Sequence, residues 1–132
     1  MQPYNINVIF RKINLPDRNM INRAAVILKS KAPFIKWVND ADPYKDDPGI
    51  TIESVNQDCT VYLILEDDAE KLEEWISLNF KQLFESELEG WYTDESLWPK
   101  KRNRKLFDEW FEVKCHSVLI DTVGSKIIDD EI

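Results

Sequence analysis

Apolar positions along the chain fall into short unbroken runs and one long periodic stripe. The run Ala24-Ala25-Val26-Ile27-Leu28-Lys29 has the length and the β-branched and aliphatic content of a buried strand. Cys59 to Leu65 is the clearest strand in the chain. It is apolar on both faces and therefore reads as a central strand. Leu72, Ile76, Phe80, Leu83, Phe84 and Leu88 recur at mostly three- and four-residue steps, the stripe of a helix packed on a sheet. Asp67 and Asp68 supply an N-cap and a negative first turn for that helix, which runs to about Glu89. Gly90 is placed to end it in a left-handed conformation.

Between these runs the pattern predicts smaller elements. Ser30 and Pro33 suit a helix start, because proline in the first turn loses no intrahelical hydrogen bond. Phe34, Ile35 and Val38 then line one face, with Trp37 at its margin. Asp42 to Gly49 is a surface loop by composition, and Thr51 caps a short helical turn through Val55. A further helix spans about Asn103 to Phe111, burying Leu106, Phe107, Trp110 and Phe111, and a last strand covers Val113 to Val123.

The order β, α, short α, β, α, α, β predicts an α/β chain of the two-layer α+β kind. Its sheet has three or four strands, with helices mainly on one face. Right-handed crossovers make strands 24–29 and 59–65 parallel neighbours or near neighbours. Residues 20–132 read as one domain. Residues 1–19 read as an N-terminal extension or edge strand, whose β-like run Ile6 to Ile13 orders if Val8 and Phe10 find an edge to pair with.

At 132 residues and 43% hydrophobic content the chain can bury one core. With 25 acids against 17 bases and a net charge of −8, it is expected to be soluble, and nucleic acid and anionic membrane are disfavoured as partners. No apolar stretch approaches the roughly 20 residues that span a bilayer. Met1 to Phe10 lacks the features of a secretory signal, so a cytoplasmic location is expected. Cys59 and Cys115 belong to no C-x-x-C pair, which points to reduced thiols that pack as small hydrophobes. The oligomeric state is not legible.

Few residues carry chemistry. His116 is the single histidine, flanked by Cys115 and Ser117, with Asp121 downstream. Neighbouring strand residues point to opposite faces, so Cys59 on another strand is its better partner. A Cys59 and His116 pair, supported by Asp58, Arg102 or Asp121, is the one enzymatic arrangement on offer. Against it stands ordinary packing of both residues. No metal-ligand spacing surrounds His116, and the acidic loop Asp40, Asp42, Asp46, Asp47 lacks the order of a calcium loop. With only three glycines there is no phosphate-binding loop, and no cofactor is expected.

Leu88 to Phe111 is the most distinctive segment, setting Trp91, Tyr92, Trp98 and Trp110 around Lys100, Lys101, Arg102, Arg104 and Lys105. Such interleaving can hold single-stranded nucleic acid. Residues 66–95, however, carry eleven acids against two lysines, enough to balance the basic stretch within the fold. Tryptophan and arginine are also the types enriched at binding hot spots, which makes Trp91, Trp98 and Arg102 candidates for a protein-partner face. Core packing is the commoner fate of tryptophan.

One set of motifs stands out together: Asn22-Arg23-Ala24, Pro33-Phe34 with Trp37, Asp58-Cys59-Thr60, Leu88-Glu89-Gly90-Trp91, Leu97-Trp98-Pro99 with Arg102, Phe107 with Trp110-Phe111, and His116-Ser117. In it, residues from about 20 to 121 resemble a group of small bacterial proteins of unknown function. The resemblance implies no activity, and its residues are mostly structural in type.

The residues thus favour a non-catalytic protein-interaction or binding module. A small enzyme using Cys59 and His116 is the first alternative, and a nucleic-acid-associated factor using Lys100 to Lys105 the second. A reactive thiol would favour the enzyme, and salt-sensitive retention the nucleic-acid binder.

Overall fold

In the computed structural model residues 19–42 and 49–131 are described. The extension's strand-like run Ile6 to Ile13 and the loop acids Asp46 and Asp47 lie outside them. Among the described residues there are five helices and five strands in two antiparallel sheets, a small α+β two-layer arrangement. The elements are β1 (Asn19–Ile21), β2 (Ala24–Ser30), α1 (Ala32–Ala41), α2 (Ile52–Val55), β3 (Val61–Ile64), α3 (Glu66–Glu70), α4 (Leu72–Glu89), α5 (Arg104–Trp110), β4 (Phe111–His116) and β5 (Leu119–Asp121).

The larger sheet has the order β3-β2-β4, so the central strand is β2 and not the Cys59 to Leu65 run. Ala24, Val26 and Leu28 of β2 face the helices and are fully or almost fully buried. The apolar residues on both faces of β3 have a different cause. Tyr62 and Ile64 face the core, whereas Val61, Leu63 and Leu65 are left in solvent.

β2 and β3 are neighbours, but they run antiparallel, with Ala25 opposite Leu63 and Ile27 opposite Val61. The reason is a side-chain clamp. The Asn56 amide accepts from the Ser30 N–H at 2.8 Å and donates to the Ser30 carbonyl at 3.0 Å. This pins the chain just ahead of β3 to the C-terminal end of β2, so β3 starts where β2 stops and must run back along it.

The Val113 to Val123 run divides into β4 and β5. β4 pairs with β2, setting Ala25 opposite His116, and β5 pairs with β1, setting Ile21 opposite Leu119. Between those pairs Asn22, Arg23 and Ala24 face only Ser117 and Val118, one extra residue that breaks the ribbon in the manner of a bulge.

Helical elements follow the stripes with three departures. The long helix is interrupted at Lys71 (φ −120°, ψ 47°), and Leu65, not an aspartate, occupies the N-cap of α3. The break lets both Ala69 and Leu72 pack on the core. Gly90 keeps right-handed helical angles (φ −61°, ψ −21°). The end of α4 is closed by the amides of Gly90, Trp91 and Tyr92, which bond back to Ser86 and Leu88 carbonyls. The positive φ belongs instead to Gly49, at 91°. Thr51 caps α2 as expected, in a reciprocal box with Ser54.

The core is aromatic. Phe34, Phe84 and Phe107 are fully buried, and Phe111 stacks within 4.9 Å of Phe34 and 5.5 Å of Phe84. Centroid spacings of this size are those at which ring quadrupoles attract. No helix among the described residues is long and apolar enough to cross a membrane.

Candidate functional site

The helices cover one face of the three-stranded sheet, and among the described residues no helix or strand packs on the other, although Ala25 there is buried beneath its neighbours. On it the pairings set Leu63, Ala25 and His116 in one row and Val61, Ile27 and Lys114 in the next. Val61, Leu63 and Leu65 are 51%, 52% and 56% exposed. Two large aliphatic residues on one short strand, with a third just past its end, are more than the scattered exposure normal for a surface.

β3 is also an edge. Among the described residues no strand pairs with its outer side, and Val61 to Ile64 contains no proline, lysine or other device that protects an edge. Beside that edge α4 forms the second wall of a groove of about 420 Å³, built from Val61, Leu63, Trp75, Asn79, Gln82 and Leu83 among others. Leu78 projects from the same helix and is 79% exposed.

Around the start of β3 lies a second feature, a cleft of about 360 Å³ with a mixed lining, where Asp58, Cys59, Ser86 and Glu87 meet Ile50, Val55 and Trp91. The Tyr62 hydroxyl donates to Glu87 Oε2 at 2.6 Å and lies 2.9 Å from Ser86 Oγ. Burial pushes the Glu87 carboxyl above its ordinary range, while the Tyr62 hydrogen bond holds it back in part. Burial, and then the bond to Glu87, push the Tyr62 phenol well above its own. Trp91, 40% exposed, forms part of the rim.

Cys59 and Asp58 share the cleft, but His116 is not brought to them. Cys59 precedes β3, whereas His116 ends β4 on the far side of β2 and lies four residue rows away, about 13 Å along the strand direction alone. Asp121 sits in β5, where its carboxylate accepts from the Val123 amide. The thiol of Cys59 instead lies 3.7 Å from the Asn56 carbonyl, and Cys115 packs partly against the core. The Cys59 and His116 arrangement therefore has no general base in contact with its nucleophile.

Trp98 and Arg102 form a structural unit. Trp98 is 7% exposed, its indole N–H donates to the Tyr92 carbonyl at 2.8 Å, and the Arg102 guanidinium lies 5.7 Å from its ring centroid. Arg102 also donates to the Pro99 carbonyl and lies 3.4 Å from Glu85. Trp91, at the cleft, is separate from them. In the basic stretch Arg104 is held by Glu73 at 2.9 Å and Asp108 at 2.8 Å, which leaves Lys100, Lys101 and Lys105 as its exposed cations. Among the described residues no group of three or more His, Cys, Asp or Glu could hold a metal ion.

Sequence reading missed Leu63 and Glu87 as site residues, although each left a signal. Val61, Leu63 and Leu65 share one parity, and Tyr62 among aliphatics marks the other parity as the face where a polar tip needs a partner. Glu87 follows Phe84 by three and Leu83 by four, which puts a carboxylate beside the apolar stripe. Compared with protein-family models, with curated proteins and with solved structures, the chain matches none.

Proposed function

We propose that the chain is a non-catalytic interaction module that takes a protein partner on the outer face and open edge of β3. The observation that carries this reading is the row of Val61 and Leu63 on β3, continued by Leu65 just past its end, each more than half exposed beside a strand whose outer side is unpaired among the described residues. Burying such aliphatic surface is favourable by roughly 25 cal/mol per Å². The unpaired strand edge offers a partner backbone hydrogen bonds as well.

The enzymatic alternative lacks a base at Cys59. The cleft by itself fits a small polar ligand, with Glu87 and Asp58 as its charged groups. Native mass spectrometry of the protein, purified gently from the cells that naturally express it, separates the two. A retained protein that cross-links to β3 supports the interaction module. A retained small molecule without a protein, lost on substitution of Glu87 with Ala, transfers the function to the cleft.

A further inference from the structure

Resting on the reading of β3 as the docking edge, we propose that the partner engages it as an extended segment of alternating apolar side chains bracketed by lysine or arginine. That segment adds to the sheet as a fourth strand. One side of β3 is consumed by the ladder to β2, and the other faces the groove against α4. A strand laid along that side would satisfy the outward backbone groups and divide its side chains by parity. Those of one parity drop into the groove between β3 and Trp75, Asn79 and Leu83. Those of the other lie beside Val61 and Leu63 and extend the open apolar face.

Charge decides what flanks this segment. The groove wall on α4, formed by Trp75, Asn79, Gln82 and Leu83, is uncharged at the positions that line it, and Val61 to Ile64 carries no charge at all. Both ends of the edge are acidic. Asp58 is exposed just ahead of β3, and Glu66 and Asp67 are exposed just after it. A bound strand of β3's own length therefore ends against carboxylates on each side, which favours basic residues there.

The acidic ends of β3 disfavour a second copy of this chain as the occupant. Two β3 edges pairing antiparallel about Tyr62 and Leu63 would set Asp58 of one copy opposite Asp67 of the other, between molecules that each carry a net charge of −8. Like charges at both ends of a short ladder oppose that association.

The test uses a short fluorescein-labelled peptide that alternates valine with threonine and carries lysines at both ends, titrated into the full chain while β3 amide exchange is followed by NMR. Binding with slowed exchange along Val61 to Ile64, at least tenfold weaker when the lysines are replaced by glutamates and abolished by a central proline, is the expected result. Equal binding of the lysine and glutamate peptides would overturn the charge argument. If no peptide binds while a folded protein partner is still lost from Leu63→Lys, strand addition is wrong and the docking face survives. If that variant keeps its partner, the docking face itself is wrong. Concentration-dependent dimers that protect the β3 amides would replace the peptide with a second copy.

Discussion

The phenol of Tyr62 donates to Glu87 at 2.6 Å and thereby ties the inner face of β3 to the last turns of α4. Glu87 is mostly withdrawn from water, and the folded state holds its proton above the ordinary glutamate value of 4.5. Stability from this group is therefore complete below that value and is lost as pH rises through the raised folded pKa. Glu87→Gln keeps an acceptor for Tyr62 and cannot ionise. Its stability relative to wild type should improve as pH rises through that window and show no such gain in acid. Urea unfolding across pH checks this, and a wild-type advantage that grows with pH would contradict it.

Tyr62→Phe removes a hydrogen bond to a charged, part-buried acceptor and should cost about 1 to 3 kcal/mol. Because that bond holds the Glu87 carboxyl down, the variant should also show Glu87 titrating at higher pH than in wild type. Carboxyl-carbon NMR of the two proteins reads the second effect directly. An unmoved titration would mean that the bond is not made in solution.

Trp98→Ala should cost about 3 to 5 kcal/mol, as truncations of buried aromatics do, and it also leaves the Tyr92 carbonyl without its donor. A variant that folded with wild-type stability and lost only a partner would return Trp98 and Arg102 to the binding surface.

Glycine placement gives a paired prediction. A Cβ on Gly49 would come within 2.7 Å of Asn39 Oδ1, at a φ of 91° that side chains rarely adopt. Asn39 is also the side chain that holds both the amide and the carbonyl of Ile50. Gly49→Ala should cost about 1 to 3 kcal/mol. Gly90→Ala, at right-handed helical angles and with nothing nearer than 3.4 Å, should be neutral or slightly stabilising. Equal effects of the two in thermal unfolding would contradict the conformations assigned to them.

Much of the fold was legible because it rests on local pattern. The apolar positions from Leu72 to Leu88 form a helix, the β-branched run at Ala24 forms a strand, and Thr51 caps its turn. Strand direction was not legible, because it depends on Asn56 reaching Ser30 across 26 positions, a contact that no local pattern encodes. The same limit affected β3. A run apolar on both faces reads as buried when burial is the only reason considered for aliphatic residues, yet here one parity of the run is left to solvent. Of the candidate site, Cys59 and Trp91 were legible by residue type. Their association with Glu87 requires the end of α4 to pack beside the start of β3.

The most direct test of the central claim compares wild type, Leu63→Lys and Trp91→Ala for retention of the native protein partner, with thermal unfolding of each as a control. Leu63 is half exposed, so the lysine should shift stability by no more than about 0.5 kcal/mol. Leu63→Lys is expected to fold normally and lose the partner, while Trp91→Ala keeps it. A folded Leu63→Lys protein that retains its partner as wild type does would contradict the assignment of β3 as the docking surface.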